Sequence, residues 1–441
     1  MIGDYTRFDM TRKPQKPWRV LAPIIWAISF PKFWLHRDRV DKTGLPPDLK
    51  PPYFLLCNHN SFMDFMIMSR AIFPHQGNYV VAIDGFIGIE WLLRPVGGIC
   101  ARKFTLNTSA VKNMLAARND GTIVVLFPEA RYSLCGTSAV LPESLGKMVR
   151  KMNIPVVTLI MHGHHINSPF WHIGNRKARP LRADMKLLFT KEEVRALPLE
   201  ELNARLTQAF IYDDFAWQKQ HGVQISGKTR AEGLHKVLYQ CPACKTEYQM
   251  SSQGRLLRCE HCGKTWEMSE LGELRAQSGA TEFSHIPDWY EWQRANVRRE
   301  VEEGRYDFEA EVRIESLPNS KGFVVFEEPG RLTHNAEGFC LSGVCQGQPF
   351  THTWPVHSIY SCHIEYNYKK RGDCVDLNTN NDTLYLFPQK TGGFSITKIA
   401  LATEELHRFY HGMLAYWPAE DDHSKVLTLP DSSATAAGER A

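Results

Sequence analysis

The sequence predicts an α/β protein: a mostly parallel sheet flanked by helices, followed by a small cysteine-held ribbon and a mainly β domain closed by a helix. Three observations predict it. Short apolar runs at 53–57, 122–127 and 154–161 alternate with a helical pattern at 108–118, as strands of a parallel sheet covered on both faces do. Four cysteines stand in two C-x2-C pairs between 241 and 262. Beyond residue 305, period-two segments such as Phe308, Ala310, Val312 and Ile314 are separated by Pro, Gly and Asn, the pattern of antiparallel strands. A chain of 441 residues has room for about three domains.

The chain opens basic and aromatic. Residues 1–50 hold ten Lys/Arg against five Asp/Glu, a balance of +5 in a chain whose total is +4, so everything after residue 50 comes to −1. That distribution disfavours a nucleic-acid-binding surface. The uncharged run between Arg19 and Lys32 is 12 residues, whereas crossing a bilayer takes about 17 to 25. It also starts too far in, and lacks the small-residue site, for a signal peptide. It is either a core helix or an interfacial one, with Trp26, Phe30, Phe33 and Trp34 as apolar anchors and flanking cations for anionic lipid. Eleven cysteines, an odd number without an export signal, favour a reducing cytoplasmic setting.

The chemistry-bearing residues follow the apolar runs. Asn58-His59-Asn60-Ser61-Phe62-Met63-Asp64 comes after the first, and α/β sheets place reacting groups at the carboxyl ends of strands. A histidine suits proton transfer at neutral pH and a carboxylate can fix its tautomer. Ser61 and Asp64 also have the S-x-x-D spacing of a helix cap, which gives Asp64 a second reading. Gly97-Gly98 leads to Arg102-Lys103, glycines for close backbone approach and two cations for a phosphate. Phe127-Pro128-Glu129-Ala130-Arg131-Tyr132-Ser133 follows the second run, and Ile154-Pro155-Val156-Val157-Thr158 enters the third through a proline. His162, His164, His165 and His172 match no zinc spacing and read as polar loop residues.

In this order the four blocks resemble the lysophosphatidate acyltransferase, or PlsC-like glycerolipid acyltransferase, family over residues 40–220. HNSFMD is similar to its histidine-x4-aspartate motif, the 97–102 block to its glycine-to-arginine block, FPEARYS to its Phe-Pro-Glu-Gly-Thr-Arg-Ser block, and the fourth to its proline-bearing strand. The resemblance implies a glycerolipid acyltransferase-like fold and activity, with His59 as general base toward an acceptor hydroxyl and Asp64 orienting it. It places phosphate binding on Arg102 and the acceptor side on Glu129, with Arg131 and Ser133 in the same block. It further implies an acyl-CoA or acyl-carrier-protein donor, a lysophospholipid acceptor such as 1-acyl-glycerol-3-phosphate, and no catalytic metal. The work would be done by a cytoplasmic protein held peripherally on the inner, anionic face of a membrane by its leader.

FPEARYS departs from the family pattern: Ala130 stands at the glycine, Arg131 at the threonine and Tyr132 at the arginine, while Thr158 replaces a common second proline. A one-residue shift turns a side chain to the opposite face of an extended segment. Arg131 therefore does not simply inherit the phosphate role. The alternative is a lipid- or protein-binding module on an acyltransferase scaffold with weakened chemistry.

Cys241, Cys244, Cys259 and Cys262 give C-x2-C-x14-C-x2-C, the spacing of a ribbon with four thiolates on one structural Zn2+ and no open position for catalysis. Tyr248 and Trp266 are expected to pack on its hairpins, and its mixed surrounding charge suits a docking or spacer role. The strands that follow, with a helix at 399–416, weakly resemble a pleckstrin-homology-like barrel. The expected organisation is a basic membrane-proximal segment at 1–45, the acyltransferase-like domain at 46–228, the zinc ribbon at 235–276, the small β domain with its helix at 300–418, and a disordered tail at 428–441.

Overall fold

The structure, a computed structural model, describes residues 2–36, 38–61, 63–105, 108–172, 178–389 and 393–413, with the backbone alone for 32–36. The tail at 428–441 and residues 414–416 of the expected last helix lie outside the described residues.

The first part of the chain forms α1 (Ala22–His36), β1 (Arg39–Gly44), β2 (Phe54–Cys57), α2 (Asp64–Ile72), β3 (Gly77–Ala82), α3 (Glu90–Leu93) and β4 (Gly98–Ala101). It continues with α4 (Thr108–Asn119), β5 (Ile123–Leu126), α5 (Leu145–Met152), β6 (Val156–His162), α6 (His164–Asn167), β7 (Arg182–Phe189), α7 (Lys191–Ala196), α8 (Leu199–Ala209) and α9 (Asp214–His221). Seven strands pair in the order β1-β7-β6-β2-β5-β3-β4, parallel except for β6 against β7. β2 and β5 are apolar at every position because both faces of the sheet are covered. Leu55, Cys57, Ile123 and Val125 pack with Ile67 and Met68 of α2, while Phe54, Leu56 and Val124 pack with Met114 of α4 and Val149 of α5.

The leader helix lies on α2. Trp26 and Phe30 meet Phe73 edge-on, with centroids at 4.9 and 5.5 Å. Two of the expected anchors are thus packed against protein, and a different row, Trp18, Val20, Ile24 and Ile28, is exposed. The side chains of Phe33 and Trp34 lie outside the described residues. Among the described residues, no helix is long and apolar enough to cross a membrane.

Four short antiparallel strands, β8 (Met250–Gln253), β9 (Leu256–Cys259), β10 (Thr265–Met268) and β11 (Leu274–Ala276), make the ribbon sheet. A helix that the sequence pattern did not predict, α10 (Ile286–Glu302), follows it. Trp266 is fully buried and meets Trp289 of α10 at 4.9 Å, so it ties the ribbon to this helix. Tyr248 stacks on Tyr239 at 5.9 Å.

The last region contains β12 (Phe308–Asn319), β13 (Gly322–Val325), β14 (Gly330–Asn335), β15 (Gly338–Cys345), β16 (Gln348–Pro355), β17 (His363–Glu365), β18 (Cys374–Asn378), β19 (Thr383–Pro388) and α11 (Ile396–Tyr410). Its antiparallel sheet runs β16-β15-β14-β12-β19-β18-β17, with β13 beside β12. One buried core continues from Leu134 and Phe170, through the ribbon and α10, into this sheet and α11. The three regions are packed as one body, and that packing decides what several of the predicted site residues do.

Candidate active site at the ends of β2 and β6

β2 and β6 run parallel, with Cys57 opposite Leu159, so the segments leaving them emerge at the same sheet edge. Asn58 continues the pairing with its side chain: its amide nitrogen donates to Met161 O at 2.9 Å and its oxygen accepts from Met161 N at 2.8 Å. Asn60 donates to the same carbonyl at 3.2 Å. The loop carrying His59 is therefore pinned to the sheet on both sides of the histidine.

His59 Nδ1 lies 3.1 Å from Asp64 Oδ2. Asp64 is fully buried, and the same oxygen accepts the amides of Asn60 at 2.6 Å and Ser61 at 2.9 Å. The two readings of Asp64 coexist: it organises the turn into α2 and orients the histidine. Its other oxygen lies 3.1 Å from His164 Nδ1. Burial alone would raise the Asp64 pKa, but the bonds to His164 and His59 outweigh it and bring it to about 2. With Nδ1–H directed at a carboxylate, Nε2 of His59 is the nitrogen left to accept a proton. The His59 ring lies between Phe127 and Tyr132, each at 4.3 Å, and its side chain is 23% exposed. His164 is 1% exposed. Of the two imidazoles on Asp64, His59 is the one open to solvent.

Glu129 belongs to this network but is fully buried. Its Oε2 accepts the His59 amide at 2.7 Å, and its Oε1 accepts the Ala139 amide at 2.9 Å and the Tyr212 hydroxyl at 3.3 Å. Burial pushes its pKa up to about 8. It positions the His59 backbone and presents nothing to an acceptor. Ser133 is likewise turned inward: its hydroxyl donates to Thr137 O at 2.6 Å and accepts the Gly136 amide at 2.9 Å.

The two arginines expected at a phosphate lie elsewhere. Arg102 is 3% exposed and spends four hydrogen bonds on the C-terminal sheet, to Leu317 O (3.2 Å), Thr383 Oγ1 (2.7 Å), Pro318 O (3.2 Å) and Asn381 O (2.6 Å). Arg131 is 5% exposed and pairs with Glu404 of α11 at 2.5 Å. Ala130 takes φ +55°, the left-handed region where the family glycine is at ease. Tyr132, at the family arginine, then meets the His59 ring while Arg131 reaches α11. His59, Asp64 and Glu129 are brought together; Arg102 and Arg131 are drawn into the seam with the C-terminal domain.

Sequence reasoning missed His164, read as a loop residue. The available signal was position, because it lies two residues beyond β6, the strand beside β2. Tyr212, whose hydroxyl reaches both Asn60 Oδ1 at 3.0 Å and Glu129, had no such signal.

The four ribbon cysteines do converge. Their sulfurs all lie within 4.8 Å of one another, with Cys241–Cys262 at 3.8 Å and Cys244–Cys259 at 3.7 Å. A tetrahedral site with Zn–S of about 2.3 Å has edges of about 3.8 Å, so the set fits a closed structural zinc site. Each pair is a tight turn, closed by Lys245 N to Cys241 O and Gly263 N to Cys259 O, both 2.9 Å.

Residues 37–162 match the family model described as Acyltransferase. A solved structure, the 1-acyl-sn-glycerophosphate (LPA) acyltransferase PlsC from Thermotoga maritima, is similar at 15% identity and TM-score 0.35, over 44% of this chain and 78% of that one. No curated protein matches the sequence. The matched segment holds the loop with His59 and Asp64 and ends two residues before His164, and the chain thus carries an acyltransferase domain joined to a four-cysteine ribbon and a β-rich C-terminal region.

Proposed function

We propose that the protein is a lysophospholipid O-acyltransferase, which moves a fatty acyl group from an acyl-CoA or acyl-carrier-protein thioester to a free hydroxyl of a lysophospholipid such as 1-acyl-glycerol-3-phosphate. The observation that carries this reading is the His59–Asp64 pair at a strand end, its ring reachable and its Nδ1 committed to a buried carboxylate. His59 Nε2 takes the hydroxyl proton as the oxygen attacks the thioester carbonyl carbon. The tetrahedral intermediate collapses by breaking the C–S bond, and the leaving thiolate takes the proton back from the imidazolium, giving an ester and a free thiol.

Unlike Arg102 and Arg131, Lys103 makes no hydrogen bond or ion pair among the described residues. Burial works against its charge, yet Asp84, Asp376 and Glu365 outweigh it and raise its pKa. The exposed Trp18, Val20, Ile24 and Ile28, within a basic leader, support docking on an anionic membrane face from the cytoplasmic side. The C-terminal β-rich region has two meanders joined through β12 and β19 and followed by one helix.

The engagement of both predicted phosphate arginines within the protein favours a second reading, a lipid-binding module with little turnover. Thiol release from acyl-CoA and acyl-carrier protein across a panel of lysolipids decides between them. Turnover abolished by His59→Ala and Asp64→Asn supports the enzyme; tight lysolipid binding without His59-dependent turnover supports the module. Metal analysis is expected to return one zinc per chain, lost together with ribbon folding when all four cysteines are changed to serine.

A further inference from the structure

Asp64 is shared by two imidazoles from distant parts of the chain. His59 Nδ1 and His164 Nδ1 each stand 3.1 Å from one of its oxygens. His164 is held as firmly as His59. The chain leaves β6 through Gly163 at φ +82°, where a Cβ would come within 2.8 Å of Leu181, and the amides of Gly163 and His165 both donate to the Asp214 carboxylate at 3.0 Å. Behind His164 lies a second buried carboxyl. Asp38 is 5% exposed with neither oxygen hydrogen-bonded among the described residues, and His164 Nε2 is buried without a partner as well. The sheet register brings them to one edge: Arg39 is opposite Arg182, and Arg182 is opposite His162. The residue before β1 and the residues after β6 therefore lie at the same edge with β7 between their strands, and Asp38 acts on His164 through its charge without a hydrogen bond.

Resting on the acyl-transfer reading of His59, we propose that His164 is a positioning residue for that reaction: it fixes the rear oxygen of Asp64 and balances its charge, with Asp38 as counter-charge behind it, so that Asp64 orients His59 without locking a proton onto it. The need for such balance is electrostatic. A lone buried carboxylate 3.1 Å from an imidazole favours the imidazolium, which cannot act as a base. A cation on the far side of that carboxylate cancels most of this pull. The charged groups facing His164 are Asp64 from α2, Asp38 ahead of β1 and Asp214 from α9. Burial opposes a charge on His164, but the Asp64 bond and these carboxylates outweigh it. The ring is too deeply buried to touch a lipid hydroxyl, so its action passes through Asp64.

The test compares His164→Asn, which keeps a donor toward Asp64 without a charge, with His164→Leu, which removes both. The readouts are the pH profile of kcat/KM and the titration of the His59 ring followed by NMR in the intact protein. For His164→Asn, the acid limb and the His59 titration are expected to move alkaline by about one pH unit, with turnover recovering on the alkaline plateau. For His164→Leu, kcat is expected to fall by about tenfold or more with KM for donor and acceptor little changed. Asp38→Asn is expected to move the limb in the same direction by less, through a weaker charge on His164. A folded His164→Asn protein with an unmoved His59 titration overturns the proposal, as does a His164→Leu effect confined to KM. A wild type that transfers no acyl group overturns the enzymatic reading instead, while the NMR titration still decides the electrostatic one.

Discussion

The loop after β2 and the seam with the C-terminal sheet treat their charged residues in opposite ways. In the loop, His59, Asp64 and the backbone between them form a circuit spanning six residues, completed by Glu129 and His164, which follow the neighbouring strands β5 and β6. In the seam, Arg102 and Arg131, equally prominent in the sequence, are consumed by Leu317, Pro318, Asn381, Thr383 and Glu404, all more than 200 residues away. A short side chain in a hydrogen-bonded turn has few places to go. A guanidinium on a long stem binds whichever acceptors the fold brings within reach, and five planar donors make a carbonyl-lined domain edge as good a partner as a phosphate.

The largest expected effect lies on the loop side. His59→Ala should lower kcat by about 10²- to 10⁴-fold while leaving the thermal unfolding midpoint nearly unchanged, measured by thiol release and calorimetry on the same preparation. A small activity loss would place the reacting base elsewhere.

On the seam side, the next effect is on stability. Glu404 accepts from Arg131 at 2.5 Å, Arg294 at 2.6 Å and Ser361 at 2.8 Å. Glu404→Leu leaves Arg131 buried without its carboxylate, while Arg294 keeps Glu291 at 2.9 Å and Glu405 at 3.6 Å, and should cost about 3–5 kcal/mol in urea unfolding. Arg102→Met should cost about 2–3 kcal/mol through the carbonyls it abandons, with KM for a phosphate-bearing acceptor moving less than about threefold. A tenfold rise in that KM without loss of stability would erase the distinction between loop and seam.

The smallest effect sharpens the role of Glu129. Its pKa is raised from the usual carboxylate range to about 8 by burial, and the bonds from Ala139, His59 and Tyr212 only partly offset this. The folded protein therefore holds this proton more tightly than the unfolded chain. The resulting stabilisation is full below about pH 4.5 and is lost as pH rises toward 8. Glu129→Gln removes that slope, so its stability deficit relative to wild type should narrow steadily as pH rises from about 5 to 8. Parallel stability curves would mean that Glu129 is ionised in the folded protein.

Much of the site was legible because its geometry is local. HNSFMD after an apolar run placed a histidine and an aspartate at a strand end, and the two cysteine pairs placed four sulfurs around one point. Less was legible where one residue's role depends on its neighbour in the sheet. Nothing in the spacing of His162, His164 and His165 says that the second of them reaches Asp64, because that follows from β6 lying beside β2. The leader shows the same limit: its aromatics were visible, but Trp26 and Phe30 turn inward because Phe73 at the end of α2 offers them a surface.

The sequence by itself determined the α/β alternation, the His59–Asp64 pair and the paired cysteine turns, since each is written in periodicity or in spacings of a few residues that backbone hydrogen bonds enforce. Only the tertiary structure decided that α10 bridges ribbon and β domain, that Asp64 serves two histidines, and that Arg102 and Arg131 join domains instead of facing the loop. Those outcomes depend on which distant surfaces are buried together, and burial of a charge is tolerated only where the partner domain supplies its hydrogen bonds.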